Sequence, residues 1–201
     1  MKILVTGFDP FGGESVNPAS EILKRLPDQV DGAEIIRLSV PTVRYRCTER
    51  VIEEIRRSDP DVILCLGQAG GRAKITVERV GINVDDQRIP DNEGNQVIDE
   101  PIYADGPDAY FSNLPVKKIV QCINDAGIPA EVSNTAGTFI CNHLLYSVRY
   151  WMERLHLDKK SGFIHVPYLP SQCVDKHADL PSMSLEDMTE AVTAALRAIA
   201  A

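Results

Sequence analysis

The segment "NTAGTFICNHLL", residues 134–145, places Cys141 just beyond a glycine turn, where a strand-like run passes into a long apolar helix. The first turn of a helix offers unpaired backbone N–H groups and the positive end of the dipole. A thiol there gains thiolate character, and the same N–H groups can hold the oxyanion that forms when a carbonyl is attacked. Thr138 is the expected N-cap, which puts Cys141 at the third helical position. The competing reading is a small hydrophobe packed beneath the turn.

A thiol hydrolase needs a histidine within hydrogen-bond reach of the sulfur. His143 lies two residues along the same helix, where side chains do not face each other. His156 lies further along it, about 22 Å from Cys141 at 1.5 Å per residue. His165, in "FIHVP", closes a buried strand, and strand C-termini line the ligand crevice of an open parallel sheet, the edge that Cys141 also reaches. His177, in the polar loop "SQCVDKH", is the fallback, and a satisfied core histidine is the alternative for His165. A carboxylate should orient the imidazole. Glu78 interrupts the apolar alternation of "ITVERVGIN", and Asp85, Asp86 and Asp91 follow in the next loop. Spacing does not choose among them, and a surface ion pair of Glu78 with Arg72 or Arg79 fits equally well.

The elements that must position these groups read as strands alternating with helices. "KILVTGF" and "DVILCLG" are continuous apolar runs, as in strands buried on both faces; "EIIRLSV", "AEVSN" and "GFIHVPYL" add further strands. Asn17 and Pro18 open a helix to 26; Val43, Cys47, Val51 and Ile55 mark a second; 116–126 and 139–155 form two more, and Ser184 caps the last. The expected fold is α/β, a mostly parallel twisted sheet with helices on both faces. Residues 74–105 break the rhythm as an antiparallel strand and hairpin excursion, a natural wall for a site. At 201 residues, 1–201 is expected to form one domain.

Composition narrows the partners. A net charge of −8 with scattered Lys and Arg argues against nucleic acid, and no run is long enough for a signal core or a membrane span, so a cytoplasmic, non-membrane protein is expected. Five widely spaced cysteines without a CxxC pair suit neither a disulfide framework nor a zinc site. Cys47, Cys65 and Cys122 read as core, and Cys173 with His177 makes too few ligands for a metal. "GFDPFGGESVNP" lacks both GxGxxG and a GK[ST] ending, and better suits a turn that presents Phe8 and Phe11 to the crevice as an apolar wall, or buries them in the core.

Taken in order, "VTGFDPFGGESVNP", "LGQAGGR", "ERVGIN", "RIPDNEG", "SNTAGTFICNHLLY" and "GFIHVPYLP" resemble the pyroglutamyl-peptidase I family of cysteine peptidases over almost the whole chain. The resemblance implies removal of N-terminal pyroglutamyl residues from peptides by a Glu–Cys–His triad through a thioester, with no cofactor and no metal. Carried over by position, the nucleophile is Cys141, the base His165 and the orienting carboxylate Glu78. The oxyanion arginine is Arg88, acting with the Cys141 N–H, and the lactam pocket is Gln68 with Phe8, Phe11 and Phe139. It also implies a homo-oligomer, a tetramer or dimer. Two other readings stand beside it: a related cysteine amidohydrolase for acyl amides without the lactam ring, and a non-enzymatic thiol sensor or ligand-binding module.

Overall fold

The run "VILCLGQ" is buried at every position of its strand, so helices must cover both faces of the sheet it belongs to. In the computed structural model, which describes residues 1–176 and 179–201, this strand is β4 (Val62–Gln68). It lies between β1 (Lys2–Phe8) and β9 (Lys160–Val166), with β3 (Ala33–Val40) on the far side of β1, and all four run parallel. Beyond β9, β5 (Ile75–Glu78) runs antiparallel to it and parallel to the edge strand β8 (Ala130–Ser133). The two-residue β2 (Gln29–Val30) pairs antiparallel with β3 at the other edge. The expected mostly parallel sheet with an antiparallel component is the one observed.

One face is covered by α1 (Pro18–Arg25), α3 (Val116–Asp125) and α6 (Leu185–Ala200), which bury Ile22, Ile119 and Val192 in one core with Val5, Leu64 and Ile164. On the other face α2 (Arg46–Ser58) and α4 (Ile140–Arg154) pack Val51 and Leu144 with Leu4, Cys65 and Phe163. Local signals start the helices. Asn17 accepts the Ala19 N–H at 3.0 Å with Pro18 at the first helical position, and Ser184 accepts the Asp187 N–H at 3.0 Å, each cap contributing about 1 kcal/mol. α2 begins later than its apolar spacing suggests: Val43 is buried ahead of it and Tyr45 takes the N-cap place at φ 59°. Among the described residues no helix is long and apolar enough to cross a membrane.

The excursion differs from expectation. The strand anticipated through "KITVERVGINV" breaks after Glu78: β6 (Val80–Ile82) leaves the main sheet and pairs with β7 (Ala109–Phe111), beyond the expected boundary at 105. The cause is α4. A Cβ on Gly81 would come within 3.0 Å of the Tyr146 backbone nitrogen, so only glycine lets this strand approach so closely. Asn142 then accepts the Ile82 N–H and donates to the Ile82 carbonyl, both at 2.9 Å, taking up the ladder groups. Residues 83–108 form a long loop with one isolated bridge, Asp85 to Glu100.

The crossover from β1 to β3 carries α1 on one face, and the crossover from β3 to β4 carries α2 on the other. The two diverge outside the C-terminal ends of β1 and β4, the position at which open α/β sheets bind ligands.

Candidate active site

Strand register assembles the first pair. On β9, His165 stands opposite Thr76 of β5, and Phe163 stands opposite Glu78, so Glu78 is the diagonal neighbour of His165 on one face of the sheet. Its Oε1 lies 2.8 Å from His165 Nδ1. Arg72 Nη1 donates to the same oxygen at 2.6 Å and to Thr76 Oγ1 at 2.6 Å, while its Nη2 donates to the Thr135 carbonyl at 3.0 Å. Glu78 therefore has both partners between which the sequence left a choice, and the carboxylate is fully buried instead of lying at the surface. Arg79 turns away to Asn134 Oδ1 at 2.8 Å.

Of the other carboxylates, Asp86 is exposed on the cavity that holds Cys141 and His165, and among the described residues only its backbone is engaged, with Thr138; Asp85 and Asp91 are held elsewhere. Asp85 is fully buried with Oδ2 2.9 Å from His143 Nδ1 and 2.7 Å from Arg44 Nε, and His143 Nε2 accepts the Tyr45 N–H at 3.1 Å. That acceptance fixes the His143 proton on Nδ1, facing the carboxylate. Asp91 accepts the backbone N–H groups of Arg44, Glu93 and Asn95. His156 follows the end of α4, and His177 lies outside the described residues.

Cys141 occupies the second helical position of α4, not the third, because Phe139 holds the N-cap place. Thr138 does not cap: its hydroxyl donates to the Asp86 carbonyl at 2.8 Å and its own carbonyl accepts the Asp86 N–H at 3.0 Å, clamping the loop across the helix start. With no side-chain cap, the first-turn N–H groups stay open to an oxyanion. Room for the sulfur comes from β4, where Gly67 is the register partner of His165; a Cβ there would sit 2.8 Å from Cys141 Sγ. Cys141 and His165 line one cavity of about 980 Å³.

Protonation follows burial. The Cys141 thiol is pushed up to about 12 by desolvation and by the Glu78 charge, with Arg72 opposing. The residue keeps some surface on the cavity, and the roughly 1 kcal/mol available from the helix dipole opposes the effect of burial. Burial thus works against the thiolate character that the helix start favours. Burial also lowers His165 below its usual value against the raising effect of Glu78, so the imidazole rests neutral near pH 7. Glu78 is disfavoured as an anion by burial, yet its hydrogen bond and charge interaction with His165 and the Arg72 contact hold it below the usual carboxylate range. The arrangement is a neutral thiol and neutral imidazole backed by a carboxylate, fit for general-base deprotonation of the thiol as a carbonyl is attacked.

The remaining residues divide. Gln68, Phe11, Phe139 and Arg88 line the same cavity, with the Phe11 and Phe139 rings 5.8 Å apart. Arg88 is exposed and has no carboxylate partner among the described residues. Phe8 is not on the cavity: it is 1% exposed and packs 6.4 Å from Phe163 beneath the site, because its β1 position points it into the α2/α4 core. Ile89 and Tyr168 are wall residues that sequence reasoning did not single out, although they lie within the motifs "RIPDNEG" and "GFIHVPYLP". Cys47 and Cys65 are buried in the core under α2 and α4, where desolvation raises both thiols; Cys122 packs against the core on the opposite face, and Cys173 ends the short helix α5 (Pro170–Cys173). Among the described residues no group of three or more His, Cys, Asp or Glu is arranged to hold a metal ion.

A family model, that of pyroglutamyl peptidase, matches residues 1–201. The chain belongs to the pyroglutamyl peptidase family. It is 57% identical over 198 residues to a pyrrolidone-carboxylate peptidase of Fusobacterium nucleatum, covering 98% of this chain and 92% of that one. It is 56% identical over 200 residues to one of Thermoanaerobacter sp., covering 100% and 98%. The crystal structure of Bacillus amyloliquefaciens pyroglutamyl peptidase I superposes with a TM-score of 0.94 at 50% identity, covering 99% of this chain and 96% of that one. A pyrrolidone carboxyl peptidase variant from Pyrococcus furiosus superposes at 0.95 and 42% identity, covering 100% and 98%.

Proposed function

We propose that this pyroglutamyl peptidase family member removes N-terminal pyroglutamyl residues from peptides as a cysteine peptidase. The observation that carries the reading is the buried Glu78–His165 hydrogen bond of 2.8 Å on the cavity that Cys141 enters. His165 Nε2 takes the thiol proton as Sγ bonds to the pyroglutamyl carbonyl carbon, while Nδ1–H keeps donating to the Glu78 carboxylate, whose charge stabilises the imidazolium. The Cys141 N–H and the Arg88 guanidinium receive the oxyanion. His165 then gives its proton to the leaving amine, and a water deprotonated by the same imidazole hydrolyses the thioester, releasing pyroglutamate and restoring the thiol.

The substrate end is a neutral, flat lactam. Phe11 and Phe139 supply apolar walls and Gln68 an amide, which suits a flat neutral ring carrying a carbonyl. The chain acts as one domain, in the cytoplasm, as a homo-oligomer. Release of a fluorogenic amine from a pyroglutamyl amide by wild type and Cys141→Ala tests the reading. Turnover that is lost in the variant is expected; no turnover by reduced, folded wild type would overturn it.

A further inference from the structure

Gln68 ends β4 at the cavity, 8% exposed, and its amide can present either of two chemically opposite groups to a ligand. Which one it presents is settled by Gln172, on the short helix α5. Gln172 Oε1 accepts the Leu169 backbone N–H at 2.9 Å, and a backbone N–H can only donate, so this end of the Gln172 amide must be its oxygen. Its Nε2 then faces three acceptors: the Val16 carbonyl at 3.3 Å, Glu14 Oε2 at 3.2 Å and Gln68 Oε1 at 2.8 Å. The Gln68 oxygen is thus turned toward Gln172. The polar group left to the cavity is the Gln68 NH2, which has no protein acceptor among the described residues and is not sealed from the cavity.

We infer that Gln172 is a positioning residue: through the chain Leu169 N–H to Gln172 to Gln68 it sets Gln68 as a donor and so selects a ligand ring that carries a carbonyl. The selectivity part rests on the peptidase reading. A lactam carbonyl meets the Gln68 NH2 as an acceptor, whereas the reversed amide would set carbonyl against carbonyl. Among the described residues, the charged groups around Gln172 are Glu14, from the loop after β1, and Lys176, which pairs with Glu14.

Gln172→Glu tests this because it keeps the acceptor for Leu169 N–H, and with it the helix cap, while removing the donor. The ionised carboxylate attracts the Gln68 NH2 and turns its carbonyl into the cavity. The readouts are kcat and KM for a pyroglutamyl coumarin amide, Ki for pyrrolidone as the bare lactam, and the Gln68 side-chain amide signals in NMR, assigned with Gln68→Met, from pH 5 to 8. At the alkaline end KM and Ki should rise about tenfold or more with kcat little changed. As pH falls, the protonated Glu donates to Gln68 Oε1 and restores the original pattern, so the variant-to-wild-type ratio of kcat/KM should climb and the Gln68 signals should follow the same titration. Glu14 beside the new carboxylate brings that recovery to higher pH. Gln172→Met should weaken binding without recovery. The inference is overturned if Gln172→Glu matches wild type throughout, if it loses only kcat, or if the Gln68 signals ignore pH. If wild type fails to cleave while those signals still titrate in the variant, the orientation stands and the peptidase reading falls.

Discussion

Replacing Glu78 by Gln keeps the shape of the side chain and removes one charge. The amide oxygen can still accept from His165 Nδ1 and from Arg72, which now meet on Oε1 at 2.8 and 2.6 Å, so the ring should keep its place. What is lost, in the proposed mechanism, is the attraction between the carboxylate and the imidazolium that forms as the thiol gives up its proton. For charge centres about 4 Å apart at an effective dielectric constant of about 20, that attraction is roughly 4 kcal/mol. Arg72 remains as an uncompensated positive charge on the same side, and small relaxation offsets part of the loss. A fall in kcat of about 10²–10³-fold is expected, with KM changed by less than about threefold, because the ground state holds a neutral imidazole. Steady-state release of coumarin from a pyroglutamyl amide, with circular dichroism to verify the fold, measures it. A folded Glu78→Gln enzyme with kcat within about threefold of wild type would refute the electrostatic role.

Three further outcomes follow from the same geometry. Because His165 is lowered in the fold, kcat/KM of wild type should fall on acidification with an apparent midpoint below the ordinary histidine value of about 6.5, and a midpoint above 7 would contradict the neutral resting pair. The sign is the same for stability: the contribution of neutral His165 is present above the unfolded value and is lost as pH falls through the folded one. Gly67→Ala puts a Cβ 2.8 Å from both Cys141 Sγ and Phe163 Cζ, so under the proposed mechanism kcat should drop by about tenfold or more as the sulfur shifts from His165; an unchanged kcat would show that the sulfur has room to spare. His143→Ala leaves the Tyr45 N–H unpaired and removes one partner of buried Asp85, which should cost about 2–4 kcal/mol in urea unfolding; a loss within about 0.5 kcal/mol would mean that water replaces both bonds.

The sheet was legible because its strands are continuous apolar runs and its helices carry local caps such as Asn17 and Ser184, signals that need no tertiary context. The path of β6 was not, since the choice between staying in the main sheet and leaving it is made by Asn142 and the close approach at Gly81, sixty residues apart in the chain for the Asn142–Ile82 bonds. Placement pointed to Cys141 and His165, but could not select the carboxylate: the diagonal of Glu78 to His165 exists only once β5 turns antiparallel to β9. Thr138 carried a sound capping signal and lost to a competitor outside its own segment, the Asp86 carbonyl. Phe8 could be read as wall or core because a strand-end aromatic has both options, and the depth of β1 decides for the core.

The two residues that follow Cys141 hold the excursion by its root: Asn142 grips Ile82 and Val84, and His143 grips Asp85. The stretch that carries Arg88 is therefore not an interchangeable module. A transplant of residues 83–108 from a relative would arrive without its anchor unless positions 142 and 143 travelled with it, and any change at those two positions would be felt at the roof of the site before it was felt at the thiol. Engineering this enzyme toward bulkier ring substrates by loop exchange thus has a minimum unit, the loop together with the first turn of α4.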